Sequence, residues 1–222
     1  MKKFIASVLA LSFCGGPVLA QPIVQPHTLD ATGCMKLREC TDDVIPITDL
    51  SQLTDLYGDW WDGPDSAELD KIITHLNEMG VEAYLADGRY FERNNRGLYY
   101  TDVNRLFLND YYMHNPSTLL EVLRHEGWHA AQDCMAGTVE NSFIAVILDD
   151  STIPNSAKVI TEARYGIFAP RAIPWEQEAY WAGITPDMTS EALEICSEGP
   201  MWEHYEPTPL TNKWLIQNGY IQ

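Results

Sequence analysis

Two histidines four residues apart, with a glutamate beside the first, form the pattern in this sequence that most directly indicates chemistry. They belong to the run His125-Glu126-Gly127-Trp128-His129. Side chains four residues apart on a helix project from the same face, so both imidazoles can hold one metal ion. A zinc ion bound by two histidines and a third ligand keeps a coordination position for water, whose proton Glu126 is placed to accept. The pattern predicts metal-assisted hydrolysis, most often of a peptide bond.

The residues on either side of this pattern favour a buried helix. Val122 and Leu123 precede it, and Ala130 and Ala131 follow it. With this apolar context, the segment resembles the active-site helix of the zincin metallopeptidases. The resemblance covers this helix and a later glutamate segment, at most about a third of the chain. It implies an α+β fold in which a small mixed sheet, with an edge strand, packs on the metal-binding helix and precedes a mostly helical C-terminal half. The alternative is a helix that carries two histidines by chance.

The helix has two possible starting points. Asn115 followed by Pro116 is one typical N-terminus, and Thr118 with Glu121 forms a capping box that offers another. Either start predicts one helix that continues to about Met135.

Gly127 and Trp128 indicate how this helix is packed. A glycine inside a helix costs about 1 kcal/mol relative to alanine, which suggests that another element packs tightly against that turn. Trp128 points away from the histidine face, so we expect it in the core.

A third metal ligand is expected in the segment that follows Pro174. In gluzincin-like zincins, a downstream glutamate in a Glu-x-x-Ala pattern completes the site, and its alanine lets the second helix approach the first. Matched residue by residue, this resemblance implies Glu176 as the ligand and Ala179 as the small contact. Glu178 is the alternative ligand, because it faces about 200° away on an ideal helix and only one of the two can point at the metal.

The chain departs from the family pattern at Tyr180, where many relatives have an aspartate that supports a ligand histidine. We expect that support from Asp133 or Glu162 instead. Glu162 also stays open as a ligand, and His114 and His204 are spare candidates. The metzincin variant is excluded, since it requires glycine and histidine where this chain has Gln132 and Met135.

A peptidase of this kind also needs a donor for the oxyanion that develops on the scissile carbonyl, and Tyr165, Tyr180 and His204 are the candidates. The sequence therefore predicts a zinc-dependent metallopeptidase with one Zn²⁺ ion, which acts on a peptide or protein substrate. The alternative is a non-catalytic zinc-binding or inhibitory protein on the same scaffold. A cell-wall peptide hydrolase would share the site and differ only in its substrate.

The elements that must position these residues are visible in the hydrophobic pattern. A helix is predicted from Asp65 or Ser66 to Met79, and short strands at 81–85, 97–102 and 105–109. By resemblance, the strand at 105–109 would be the sheet edge that pairs with an extended substrate. Two further helices are predicted at 139–148 and 156–165.

The N-terminus predicts export. Lys2 and Lys3 precede an apolar run, and Ala20 ends a small-residue cleavage site, so residues 1–20 are predicted to be a signal peptide. Residues 21–64 would form an N-terminal arm, which could also be a removable pro-segment. Residues 65–222 would form the catalytic domain of a secreted or periplasmic protein.

Removal of the signal would also remove Cys14 and leave four cysteines. An even number of cysteines in an exported protein indicates disulfides, and four allow three pairings. We favour Cys34 with Cys40 and Cys134 with Cys196.

The composition excludes one class of partner. The 222 residues include 32 acidic and 14 basic side chains, a formal net charge of −18. Loss of Lys2 and Lys3 would leave 12 basic residues against 32 acidic ones, a net charge of −20. Nucleic-acid binding needs a basic surface and is therefore excluded, and an acidic membrane surface would repel the protein. No stable membrane insertion is expected after signal removal.

Overall fold

The structure is a computed structural model that describes residues 34–38, 40, 43–58, 64–92 and 94–222. It is an α+β protein, as the sequence predicts, with one four-stranded sheet and a mostly helical C-terminal half. The strands are β1 (Val44–Ile47), β2 (Glu82–Ala86), β3 (Gly97–Tyr100) and β4 (Arg105–Asn109). The helices are α1 (Leu50–Tyr57), α2 (Pro64–Glu78), α3 (Asp110–Met113), α4 (Pro116–Met135), α5 (Asn155–Tyr165), α6 (Ile173–Ile184), α7 (Met188–Glu198) and α8 (Asn212–Gln217).

The sheet has the strand order β1-β2-β4-β3. β2 and β4 are parallel, and the two outer strands are antiparallel to their neighbours. The expectation that residues 105–109 form a sheet edge is therefore wrong: β4 is a central strand, and β1 and β3 are the two edges. A central strand is buried on both faces and therefore needs an unbroken run of apolar residues. β4 has such a run in Leu106, Phe107 and Leu108, which are all at most 1% exposed.

The two faces of the sheet are covered by different parts of the chain. One face contributes to the main core, which includes Leu106, Leu108 and the apolar residues of α4. The other face packs against Met35 and Phe91 in a smaller cluster. The described residues of the predicted N-terminal arm around Met35 therefore lie on the face away from α4.

Residues 44–57 contribute to the body of the protein, although the sequence assigns them to the arm. β1 pairs with β2, for example Val44 with Ala86, and the α1 residue Leu53 is fully buried in the main core. Truncation near Asp65 would thus remove a strand and a core side chain. Residues 1–33 and the predicted signal cleavage lie outside the described residues.

α4 is the central helix of the fold, and glycines let its neighbours approach closely. A β-carbon on Gly127 would lie 3.0 Å from Thr189 Cγ2 and 3.5 Å from Leu193 Cδ1, both on α7. The tight packing expected at this turn is therefore present. On α6, a β-carbon on Gly183 would lie 3.2 Å from the Glu121 carbonyl oxygen. Trp128 is 1% exposed, so its expected core position is confirmed.

Of the two helices predicted after α4, only the second is present. Residues 156–165 form most of α5, whereas residues 139–148 are irregular. The backbone N–H of Ala145 donates to the Gln132 carbonyl at 2.9 Å, and the N–H groups of Ile147 and Leu148 donate to the Glu178 carboxylate. Because these donors have partners on α4 and α6, the segment does not form the internal hydrogen bonds of a helix.

Both predicted disulfides are present, between Cys34 and Cys40 and between Cys134 and Cys196. The second joins the C-terminal end of α4 to α7, across 62 residues of chain. Within the described ranges, no helix is long and apolar enough to cross a membrane.

Candidate metal centre

The site begins with the regular geometry of α4. Asn115 caps the helix by accepting a hydrogen bond from the Thr118 backbone N–H at 3.1 Å, and Pro116 occupies the first turn. The first of the two predicted starts is therefore the one that the structure has. From this start the helix places His125 and His129 one turn apart on the same face.

Glu176 on α6 completes a group of three possible metal ligands. The Nε2 atoms of His125 and His129 are 3.2 Å apart, and the Glu176 carboxylate oxygens lie 3.5 Å from His125 Nε2 and 3.8 Å from His129 Nε2. Two nitrogens bound to one zinc ion in tetrahedral geometry stand roughly 3.3 Å apart. The spacing of the three side chains therefore fits a single metal ion between them.

The buried polar atoms of the site also fit a metal. Both Glu176 oxygens, both Glu126 oxygens and His125 Nδ1 are buried without a well-formed hydrogen bond among the described residues. Buried polar groups are normally satisfied, so this concentration in one place needs an explanation. An ion between Glu176 and the two histidines satisfies the Glu176 carboxylate directly.

α6 can approach α4 here because it presents small residues to it. Ala179 is fully buried, and its backbone carbonyl is the acceptor that approaches the His125 ring. A β-carbon on Gly183 would lie 3.4 Å from His125 Cβ, so the helices are in close contact at the level of the first histidine. This contact allows Glu176, about two turns before Gly183 on α6, to reach both rings.

Burial keeps both histidines neutral. It lowers the pKa of His125 to about 3 and that of His129 to about 4, because the charged imidazolium loses its hydration. Burial raises the pKa of Glu176 to about 7, and the neighbouring His129 and Tyr165 partly oppose that rise. Neutral imidazoles are the form that binds a metal.

Glu126 lies beside this group without being part of it. Burial first, and the charge of Glu176 second, raise the pKa of Glu126 well above its usual value. Its side chain rests on β3, where a β-carbon on Gly97 would lie 2.7 Å from Glu126 Cγ. The Tyr99 backbone N–H approaches the carboxylate without well-formed geometry. The Glu126 carboxyl therefore holds its proton more tightly than a solvent-exposed glutamate does.

A chain of hydrogen bonds extends from His129 away from the metal group. His129 Nδ1 lies 2.8 Å from Gln132 Oε1, and Gln132 Nε2 donates to Glu178 Oε2 at 2.8 Å and to the Trp175 carbonyl at 3.1 Å. Glu178 is fully buried, and burial raises the pKa of its carboxyl. The hydrogen bonds that this carboxylate accepts partly oppose that rise. The support that we expected from Asp133 or Glu162 comes from Gln132 instead.

The remaining candidate residues lie in different places. The Glu178 carboxylate accepts hydrogen bonds from the Gln132 side chain and from the backbone N–H groups of Ile147 and Leu148, and it does not face the two histidines. Glu176 is therefore the glutamate beside the histidines. Tyr165 lies near Glu176, and burial together with the Glu176 charge raises the pKa of Tyr165. The Tyr180 ring stacks with the Arg164 guanidinium, 5.6 Å from the ring centroid.

The spare candidates are not in the group. Asp133 accepts a hydrogen bond from the Tyr99 hydroxyl at 2.8 Å. His114 is exposed and packs edge-on against Tyr57, with ring centroids 5.1 Å apart. Glu162 and His204 are exposed.

Sequence reasoning missed two parts of this site. The signal for Gln132 was its position three residues after His129, which places it on the same helix face. Gly97 had no local signal, because its importance comes from contact with a residue 29 positions later in the chain.

Comparison with known proteins gives no relative for this arrangement. No protein-family model matches the chain, and neither a curated protein nor a solved structure matches it. The interpretation of the site therefore rests on its own geometry.

Proposed function

We propose that this protein is an exported zinc metallopeptidase, which hydrolyses peptide bonds. The observation that carries the proposal is the convergence of His125 Nε2, His129 Nε2 and the Glu176 carboxylate on one point, with the unsatisfied carboxylate of Glu126 beside them. We assign zinc as the metal, because two imidazoles and one carboxylate are a ligand set typical of catalytic zinc.

The bound ion would polarise the substrate carbonyl and acidify water. The chain supplies the proton transfers. Glu126 accepts a proton from the attacking water and delivers it to the leaving amine. Tyr165, beside Glu176, is the donor placed to stabilise negative charge on the carbonyl oxygen.

The edge strand suggests how a peptide would be held. β3 has a strand partner on one side only within the described ranges, and Gly97 of this strand lies against Glu126. An extended peptide that runs beside β3 would bring its carbonyl groups close to the general base. We therefore assign peptides and proteins as the substrate class.

Charge and disulfides support the proposed location and partners. A net charge of −18 opposes contact with nucleic acid and favours neutral or cationic substrates. Two disulfides are typical of proteins in an oxidising compartment, such as the periplasm or the extracellular space.

One observation favours a second candidate, a metal-binding protein without catalysis. The side chains of His125, His129 and Glu176 are at most 1% exposed. A structural zinc site is closed, whereas a catalytic site must admit a substrate. In that case the protein would take up zinc and hydrolyse nothing.

Metal analysis combined with a peptide-library assay tests the proposal. Glu126→Gln should retain zinc and lose hydrolysis, whereas His129→Ala should lose both, because His129 is one of the proposed metal ligands and Glu126 is not. The exposed Glu194→Gln on α7 is the control and should change neither. Zinc uptake without hydrolysis in the unmodified protein would support the second candidate, and hydrolysis that survives Glu126→Gln would reject the assigned base.

A further inference from the structure

His129 is connected through Gln132 to Glu178, a buried carboxylate that the proposed reaction does not use. We propose that Gln132 and Glu178 are positioning residues for the metal, which lock the His129 ring in the orientation and tautomer that direct its Nε2 lone pair at the ion. The inference rests on the metal site of the proposed function and names the residues that regulate its affinity.

The orientation of the Gln132 amide is determined by its partners. Its Nε2 lies within hydrogen-bond distance of two acceptors, the Glu178 carboxylate and the Trp175 carbonyl. A reversed amide would place an oxygen against both of them. Gln132 Oε1 must therefore face His129 Nδ1, at 2.8 Å.

An amide oxygen only accepts hydrogen bonds, so His129 Nδ1 must carry the proton. In a neutral imidazole, a proton on Nδ1 leaves the lone pair on Nε2, which is the atom that faces His125 and Glu176. Gln132 thereby fixes the tautomer that binds a metal. In many zinc sites a carboxylate or carbonyl bonds the ligand histidine directly, whereas here an amide stands between the histidine and the carboxylate.

Glu178 in turn holds the amide in place. Its Oε1 accepts the backbone N–H groups of Ile147 and Leu148 at 2.9 and 2.6 Å. Its Oε2 accepts Gln132 Nε2 at 2.8 Å and Trp128 Nε1 at 3.2 Å. Both oxygens of Glu178 thus accept from N–H donors. In Glu178→Gln, the side-chain NH₂ would therefore face a donor in either orientation of the amide.

This pattern predicts a compensating pair of substitutions. Gln132→Glu alone places two carboxylates against each other, and Glu178→Gln alone places two donors against each other. In the double variant, the carboxylate at position 132 can accept from the amide at position 178 and still accept from His129. The recovery is partial, because this carboxylate faces the Trp175 carbonyl and the new amide NH₂ faces the Trp128 N–H. A pair that acts only as packing has no reason to recover when the two groups are exchanged.

The test is the affinity of the purified full chain for Zn²⁺, measured by competition with a chelating dye. Each single variant should bind Zn²⁺ about 10- to 100-fold more weakly than the unmodified protein, the range typical for loss of support to a ligand histidine. The exchanged pair should recover about tenfold over Gln132→Glu. Gln217→Met and Glu194→Gln, both exposed, are the matched controls and should leave the affinity unchanged.

A spectroscopic measurement covers the case in which a charged variant does not fold. Gln132→Met keeps the side-chain length and removes the hydrogen bonds. In the metal-free protein labelled with ¹⁵N-histidine, His129 should be protonated on Nδ1, and Gln132→Met should produce a mixture of tautomers. The His129 signal is assigned by its absence in His129→Ala.

The outcomes separate this inference from the proposed function. Equal Zn²⁺ affinity in all variants, or an unchanged His129 tautomer in Gln132→Met, would overturn the positioning role and leave the peptidase proposal intact. Weaker binding in the single variants of a protein that hydrolyses no peptide would support the positioning role and reject the peptidase. A wild-type chain that binds no divalent ion would overturn both.

Discussion

Gly97 on β3 lies directly against the side chain of Glu126 on α4. A β-carbon at position 97 would stand 2.7 Å from Glu126 Cγ and 2.8 Å from Val122 Cγ1. Real β-carbons do not approach other atoms so closely, so only glycine fits at this position without movement. The sheet edge and the proposed general base are therefore in direct steric contact.

The first prediction concerns this contact. Gly97→Ala should displace the Glu126 carboxylate, reduce peptide hydrolysis at least about tenfold and lower the free energy of unfolding by about 1–3 kcal/mol, the usual cost of overpacking. Zinc content should stay unchanged, because neither histidine is touched. The measurements are a peptidase assay, metal analysis and chemical denaturation. Gly199→Ala is the control, since a β-carbon there meets nothing within 4 Å. Full activity in Gly97→Ala would contradict the assigned role of Glu126.

The second prediction concerns stability as a function of pH. Burial raises the pKa of Asp133 to about 8 from 3.8, and the hydrogen bond from Tyr99 only partly opposes it. The folded protein therefore holds this proton more tightly than the unfolded chain does. Its contribution to stability is complete below about pH 4 and is lost as the pH rises towards 8, by at most about 1.4 kcal/mol per pH unit.

Asp133→Asn should remove this dependence, because the amide does not ionise. The free energy of unfolding, measured by denaturant titration between pH 4 and 9, should fall less steeply for the variant than for the unmodified protein. Asp102→Asn, an exposed pair partner of Lys36, serves as the control. Parallel pH curves for wild type and Asp133→Asn would refute the raised pKa.

The third prediction compares the two disulfides. In the loop-entropy model, a disulfide that closes a longer loop contributes more to stability. The Cys134–Cys196 bridge spans 62 residues and should contribute about 4 kcal/mol. The Cys34–Cys40 bridge spans 6 residues and should contribute about 2 kcal/mol. Replacing each pair by alanines should lower the melting temperature about twice as much for the longer loop. Thermal unfolding with both bridges intact is the reference, and equal effects would contradict the model.

The fourth prediction separates stability from metal binding. Arg124 and Glu68 form a buried ion pair. Arg124 Nε donates to Glu68 Oε1 at 2.7 Å, and a second guanidinium nitrogen contacts Glu68 Oε2. The Asp187 backbone N–H also donates to Glu68. Glu68→Ala would leave a buried guanidinium without its carboxylate and should destabilise the fold by about 3–5 kcal/mol. Zinc affinity of the folded fraction should be unchanged. A specific loss of zinc affinity would place this pair in the metal site.

The local pattern was sufficient for α4. A cap at Asn115, an apolar run and two histidines four residues apart are all short-range features, and helical geometry alone converts them into two rings on one face. The segment at 139–148 was mistaken for a helix because its apolar residues have a helical spacing. Its backbone donors are used by Glu178 and Gln132, which a local pattern does not reveal.

The position of β4 is an intermediate case. The family resemblance predicted an edge position, which conflicts with the three consecutive apolar residues Leu106 to Leu108, a run typical of a strand buried on both faces. The sheet order β1-β2-β4-β3 resolved this conflict, because β4 forms hydrogen bonds with strands on both sides.

By itself, the sequence determined the candidate metal-ligand pair His125 and His129 and the glutamate beside them, because their relation depends only on the 3.6-residue period of one helix. Tertiary structure decided that Glu176 and not Glu178 faces them, that Gln132 supports His129, and that Gly97 touches Glu126. Those relations depend on how α6 and β3 pack against α4. Packing joins residues that are distant in the chain, and no spacing within one segment encodes it.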